Sequence, residues 1–227
     1  RIDYALSERD QLSGRYLYDD NVNPVSAINF ASFITSQHNK FQNVQVAHTH
    51  VLSPVKTNEL RVAYNRIGLE FPLDAKHPLA ATMPLYNIAG LTASSVSRST
   101  AGYLGVQTNL PQGRVANNYL LQDSFSWVRG SHTLRFGTEL TLQRSRQYAP
   151  ITERGLLTYN AGGGFSGFAN FLDDFGGSGG AVRRDFGQPA YYPDLFRQGY
   201  FVQDRWRVSQ SVTLTLGLRY EYFGLPM

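Results

Sequence analysis

Two histidines have the side chains and the spacing most suited to chemistry: His48 and His50, in the sequence His-Thr-His. Side chains two residues apart on a strand point to the same face, so both imidazoles would be available to one metal ion. A zinc site needs at least three protein ligands, and no third ligand is near in sequence. His77 and His132 lie in other predicted elements. We therefore expect no metal site and no cofactor.

Carboxylates are the next candidates for chemistry. Asp123 and Asp204 could form a catalytic pair, but nothing in their neighbourhood supplies a nucleophile or a base. Tyr18–Asn21 and the pair Asp173 and Asp174 could offer oxygens to calcium, but neither has the ligand spacing of a calcium loop. The glycines do not form a phosphate-binding loop, and no catalytic triad can be assembled. An enzyme is the least expected class.

Composition excludes several other classes of protein. The 227 residues contain 21 Lys and Arg against 17 Asp and Glu, and no run of five basic residues, so a nucleic-acid footprint is not expected. Cysteine is absent, which excludes disulfides and thiolate metal sites. No apolar stretch approaches the ~18 residues of a membrane helix. One large domain or two small ones remain possible at this length.

Strict alternation of apolar and polar residues is the leading structural signal. In Val212–Tyr222 one parity holds valine, leucine and tyrosine, and the other holds threonine, glycine, arginine and glutamate. Thr133–Gln143 shows the same pattern. Because successive side chains on a strand point to opposite faces, each segment predicts a strand with one apolar and one polar side.

These segments belong to an internal repeat of strand, tight turn and strand. Asn118–Gly137 resembles Gly199–Gly217, with Tyr119 matching Tyr200 and Asp123 matching Asp204. Two fainter hairpins precede them, over residues 2–18 and 41–66. The pattern predicts eight strands in four hairpins.

The connections between hairpins, over residues 20–40, 71–117 and 147–197, are predicted to be long loops. Short turns at one end and long loops at the other are typical of an outer-membrane β-barrel, whose tilted strands need ~9–11 residues to span the bilayer. The predicted fold is all-β, an antiparallel transmembrane barrel wall, and an open slice of a larger barrel. Alternation alone also fits a soluble β-sandwich or a lipocalin-like barrel.

The parity rule assigns side chains to the two faces of that wall. We expect lipid contact from Leu134, Phe136, Leu140, Val212, Leu214, Leu216, Leu218 and Tyr220. We expect a watery lumen around Arg135, Glu139, Arg219 and Glu221. Trp127 and Trp206, just before the short turns, are expected in an interfacial aromatic girdle, and the two histidines near a membrane interface. Asp123 and Asp204 fall on the lipid parity, so we expect a parity-reversing bulge, a polar partner or a shallow position for each.

The loop at 147–197 is predicted to contain the main helix. Phe165, Phe168, Phe171, Leu172 and Phe175 recur at three- and four-residue spacing, Ser166 can cap the start, and Gly176 and Gly177 can end it. The aromatic face could pack on the protein's own loops or contact a ligand. The candidate ligand-contact residues are Phe165, Phe168, Phe171, Phe175, Arg183 and Arg184.

The hairpin with Tyr200, Gln203, Asp204 and Trp206, followed by Leu214, Leu216 and the run Gly-Leu-Arg-Tyr-Glu from Gly217, resembles a barrel hairpin of TonB-dependent receptors. His48–Arg66, Ser126–Leu140 and Phe165–Phe175 are similar to segments of the Oar-like subset, which often carries a carboxypeptidase-regulatory-like domain. Together these segments cover about two-thirds of the chain.

This resemblance implies a 22-stranded outer-membrane barrel, filled by an N-terminal plug, that imports an extracellular ligand with energy delivered by TonB. No plug, energy-coupling box, signal peptide or terminal aromatic is visible, so residues 1–227 are interpreted as a partial barrel domain. Its expected partners are outer-membrane lipid, the rest of the barrel and plug, an unknown ligand, and TonB only through the missing N-terminal region. The alternatives are a complete small eight-stranded barrel with a structural or adhesion role, and a soluble ligand-binding β-barrel.

Overall fold

The architecture was obtained as a computed structural model, which describes residues 1–25, 30–91 and 101–225. The strands follow one another in chain order: β1 Ile2–Ala5, β2 Asp10–Val25, β3 Thr35–Ser53, β4 Lys56–Phe71, β5 Leu85–Ala89, β6 Ala101–Leu104, β7 Gln112–Arg129, β8 His132–Tyr148, β9 Leu156–Tyr159, β10 Ala181–Arg183, β11 Ala190–Tyr191, β12 Asp194–Arg207 and β13 Thr213–Phe223. A 3₁₀ turn covers Ala31–Phe33, and one helix, α1, covers Gly167–Leu172. No helix in the described residues is long and apolar enough to cross a membrane.

Eight strands form one antiparallel wall in the order β1-β2-β3-β4-β7-β8-β12-β13, and the short β11 adds to β8. The predicted all-β architecture, with eight wall strands in four hairpins, is confirmed. The β7–β8 turn needs only two residues because Gly130 adopts a positive φ of 58°. Within the described residues β1 and β13 each pair on one side only, so the wall is open.

The wall strands are longer than the sequence predicted. β2 and β3 remain paired up to Val25 and Thr35, so the predicted loop over residues 20–40 is wrong for most of its length. β3 has 19 residues, well beyond the ~9–11 that a tilted spanning strand requires. The wall therefore extends past an apolar band of membrane thickness on the long-loop side.

Neighbouring short turns are displaced from one another along the wall. Lys56, the first residue after the β3–β4 turn, lies opposite Trp127, two residues before β7 ends at Arg129. Between these two hairpins the displacement of two residues corresponds to one residue per strand. With a rise of ~3.3 Å per residue and a strand spacing of ~4.8 Å, this stagger tilts the strands by about 35°, within the range found in membrane barrels.

The long connections fold into a layer of their own on the loop side of the wall. A second sheet in the order β10-β9-β5-β6 unites the two longest connections, with β5 and β9 parallel. Its interior, together with the segments beneath it, holds most of the buried apolar side chains: Phe33, Ala80, Leu85, Ile88, Val106, Leu110 and Tyr159. This loop layer was not predicted from the sequence.

Candidate functional site

Helix α1 packs on the loop-layer sheet, and one of its aromatic side chains contacts rings of β5 and β9. Its Ser166 cap accepts a hydrogen bond from the Ala169 amide, as predicted, but the helix ends at Leu172, before the glycine pair. The Phe171 ring packs edge-on against Tyr86 and Tyr159, with centroid separations of 5.5 Å and 5.2 Å. This ring therefore packs against the protein's own loops.

Buried polar contacts hold the segment around α1. The Asn170 side chain, 1% exposed, donates to the carbonyls of Asn160 and Gly162 at 2.8 Å and 3.2 Å. Tyr159 donates its hydroxyl proton to the Asp174 carboxylate at 2.8 Å. Burial, followed by this hydrogen bond, raises the pKa of Tyr159 to about 12. The loop thus has fixed internal contacts that pre-organise its outer surface.

Arg154 joins the two longest connections. Its guanidinium donates to the carbonyls of Leu110, Val106 (3.0 Å) and Gln107 (2.5 Å), and burial lowers the pKa of the group. These carbonyls precede β7, whereas Arg154 follows β8. A charge-assisted contact of this kind resists separation of the two loops.

The remaining predicted ligand-contact residues lie on the outer surface of the loop layer. Phe165, Phe168 and Phe175 are exposed, whereas Phe171 packs on the protein's own loops. Arg183 pairs with Asp185 at 3.2 Å. Arg184 donates to a backbone carbonyl and stands 5.2 Å from the centre of a further exposed ring, Phe186.

Phe186 is the most exposed aromatic of the described residues at 84%, and the sequence analysis missed it because it falls outside the helical period. The loop layer therefore has a set of uncovered aromatic side chains, which we call the aromatic patch: Phe165, Phe168, Phe175 and Phe186. Exposed aromatic side chains on loops held by a fixed scaffold are suited to binding.

The strand register separates the wall side chains into two faces. One, the apolar face, carries Leu134, Phe136, Leu140, Leu214, Leu216, Leu218 and Tyr220. Leu216 and Leu218 are 60% and 72% exposed there, so the protein's described residues leave much of this face uncovered. The opposite, polar face carries Arg135, Glu139, Arg219 and Glu221. Uncovered apolar side chains on this scale suit contact with lipid.

Charges on the polar face are joined across strands. Arg219 pairs with Glu221 at 2.6 Å and reaches Glu139, two strands away, at 4.0 Å. The guanidinium passes over Gly199 of β12, which has no side chain to block it. Pairs this exposed contribute little stability each, and they are typical of a surface that contacts water.

Asp123 and Asp204 keep the apolar parity, since the register is continuous at both positions and the bulge expected there is absent. Each has a polar partner: Asn58 donates to Asp123 at 2.8 Å, and His132 lies 2.6 Å from Asp204. Of the three explanations offered by the sequence, the bulge is absent and pairing is observed for both residues. Asp204 also lies only three residues from the end of β12 at Arg207.

Both tryptophans lie at the short-turn end of the apolar face. Trp127 is flanked by Lys56 and Arg129, whose cationic groups stand 5.3 Å and 5.4 Å from ring centres of the indole. Trp206 stacks on His132 with a centroid separation of 5.4 Å. Aromatic rings beside basic groups at this level fit the predicted girdle.

The histidine pair has the third partner that the sequence did not reveal. Asp10, at the start of β2, lies 3.0 Å from His48 and 2.6 Å from His50. The three residues form a possible metal-binding group in the described part of the chain. No third ligand is near in sequence, but the fold brings the Asp10 carboxylate from β2 beside both imidazoles.

The comparisons with known proteins agree with the architecture of the wall. No curated protein and no solved structure matches the chain. A family model described as "Outer membrane beta barrel domain" matches residues 1–227. This family, the open antiparallel wall and its uncovered apolar face locate the protein in the bacterial outer membrane as a transmembrane β-barrel wall. The chain belongs to the outer membrane beta barrel domain family.

Proposed function

We propose that the chain forms part of the wall and outer mouth of a TonB-dependent receptor of the Oar-like kind. The receptor binds an extracellular ligand at its loop layer and imports it with energy from the inner membrane. The residue patterns that resemble this group support the proposal, as does a wall whose edge strands β1 and β13 are not paired with each other in the described residues. No catalytic or cofactor role is part of the proposal.

The observation that carries the binding role is the loop layer with its own core and the aromatic patch outside it. In membrane barrels the long loops are extracellular, so this layer would be the first surface that a ligand meets. A fixed loop also loses less conformational entropy on binding than a free one. A complete small barrel is not favoured, because β1 and β13 are not paired with each other in the described residues.

Import can be tested without knowing the ligand. Cells with the full-length gene, cells lacking it and cells lacking TonB are grown in the same rich medium, and depletion of medium components is compared by mass spectrometry. We expect one set of compounds to stay undepleted in both deletion strains. If no compound that stays undepleted without TonB also stays undepleted without this gene, the transport proposal is wrong.

The binding role requires its own variants. Phe168→Ser and Phe186→Ser alter exposed rings, so the barrel should still assemble, and uptake should fall by about tenfold if hydrophobic contact with the ligand is lost. Leu79→Ser, an exposed apolar residue in the other long connection, is the matched control. Deletion of Phe165–Phe175 gives the stronger test. Normal assembly with unchanged uptake would refute the binding role of this loop.

A further inference from the structure

The histidine pair and Asp10 converge on one point. The Nε2 atom of His48 and the Nδ1 atom of His50 lie 3.0 Å and 2.6 Å from the same carboxylate oxygen, Oδ1 of Asp10. All three potential ligand atoms lie within 4.8 Å of one another. The two rings come from alternate positions of β3, and the carboxylate comes from the neighbouring β2, opposite His50.

The second carboxylate oxygen is held separately. The Ser7 hydroxyl, in the β1–β2 turn, donates to Oδ2 of Asp10 at 2.7 Å. This contact orients the carboxylate so that Oδ1 faces the imidazoles. Hydrogen bonds that orient a ligating carboxylate in this way are typical of the shell around a metal site.

Another histidine–aspartate contact in the described part of the wall contains only one imidazole. Asp204 has one imidazole partner, His132, which also stacks on Trp206. A single imidazole is sufficient to pair a carboxylate. The convergence of a second ring nitrogen on the same oxygen of Asp10 is the feature that distinguishes this cluster.

We propose that Asp10, His48 and His50 form a three-ligand site for a divalent transition-metal ion, with Zn²⁺ as the ion that fits best. Two imidazoles and one carboxylate are ligands that zinc accepts, and a fourth position stays open to water. Ligand atoms around a tetrahedral zinc ion lie about 3.4 Å apart, so the observed nitrogen–oxygen distances must widen by less than about 1 Å. The ion would replace the two hydrogen bonds and cross-link β2 to β3.

The position makes the site reachable. Side chains of Asp10, His48 and His50 are 27%, 39% and 40% exposed. They lie at the short-turn end of the apolar face, which in membrane barrels is the periplasmic level of the lipid headgroups. Metal ions in the periplasm could therefore reach the group without crossing the hydrocarbon.

The test uses the full-length protein purified from outer membranes in detergent and titrated calorimetrically with ZnCl₂ in a non-chelating buffer. We expect a site with one zinc per chain, and at least about tenfold weaker binding in Asp10→Asn, His48→Gln and His50→Gln. His132→Gln, which removes the one-imidazole contact, is the matched control and should change the affinity by less than about twofold. Ser7→Ala keeps all three ligands and should weaken binding by about tenfold.

A spectroscopic readout counts the nitrogens. Cu²⁺ bound to the site should show hyperfine coupling to two imidazoles in its electron paramagnetic resonance spectrum, and to one in His50→Gln. If the triple variant of Asp10, His48 and His50 binds zinc as tightly as the unaltered protein, the proposal is overturned. If the ligand variants fail to fold, the Ser7→Ala affinity and the two-nitrogen Cu²⁺ spectrum decide: an unchanged affinity with no imidazole coupling also overturns it.

Discussion

Two glycines at matching positions of the internal repeat should respond in opposite ways to the same substitution. Gly137 ends the segment Leu-Arg-Phe-Gly in β8, and Gly217 ends Leu-Thr-Leu-Gly in β13. Neither has a positive φ, so alanine is compatible with both backbones. Replacement of such a glycine by alanine stabilises a protein by about 0.4–1 kcal/mol, because the unfolded chain loses freedom.

The surroundings of the two glycines differ. A Cβ added at Gly137 would collide with the Asp123 carbonyl oxygen and approach the Phe201 ring to 2.8 Å. At Gly217 the nearest atom, the Val202 carbonyl oxygen, is 3.5 Å away, which is ordinary contact. Overpacking of this kind costs about 1–3 kcal/mol. We therefore expect Gly137→Ala to destabilise the wall by about 1–2 kcal/mol and Gly217→Ala to stabilise it by about 0.5 kcal/mol.

Guanidinium unfolding of the full-length protein in detergent micelles, followed by tryptophan fluorescence, measures both effects. Replacing Phe201 by leucine in the Gly137→Ala background should recover part of the loss. The carbonyl collision should keep the double variant less stable than Phe201→Leu alone. Equal unfolding midpoints for Gly137→Ala and Gly217→Ala would refute this reasoning. The collision at Gly137 would then have no effect on the free energy of unfolding.

Two further predictions concern the loop layer. Arg154→Met removes three hydrogen bonds to carbonyls and should open the contact between the two long connections. We expect the loop layer to lose about 3 kcal/mol of stability. Proteolytic cleavage near Leu110 should become faster while the wall stays folded. The pKa of Tyr159 is raised in the folded state to about 12. Its contribution to the free energy of unfolding is therefore complete below pH ~10, the pKa of an unfolded tyrosine, and is lost as the pH rises towards about 12. Ionisation of tyrosines is measured by ultraviolet absorbance in the unaltered protein and in Tyr159→Phe. The difference between the two titrations should show one group ionising near pH 12. A difference titration near pH 10 would contradict the burial and the Asp174 hydrogen bond.

Local patterns in the sequence were sufficient for the strands of the wall and their two faces. Parity is a property of a single strand, so the alternation in Val212–Tyr222 separates Leu216 from Arg219 whatever the neighbours are. The capping role of Ser166 is similarly local. The predicted long-loop ends of β2 and β3 were wrong, because polar residues occupy both faces of these two strands near those ends. Asp20 and Lys40, for example, pair there at 3.5 Å. Backbone pairing continues after the alternating signal has ended.

The loop layer could not be derived from the sequence because its sheet joins distant segments. Parallel pairing of β5 with β9 brings Leu85–Ala89 beside Leu156–Tyr159. No periodicity within either short segment specifies the other as its partner. The exposure of Phe186 likewise depends on what the folded loops leave uncovered.

Residues alone pointed to the histidine pair, and only the tertiary structure supplied its carboxylate. Asp10 is 38 and 40 residues from the two histidines in sequence. It meets them because the register of β2 on β3 sets it opposite His50, on the same face. A shift of the register by one residue would turn Asp10 to the opposite face from both rings. Register is fixed by pairing along the whole strand and by the packing of both faces, and a single segment of sequence contains neither.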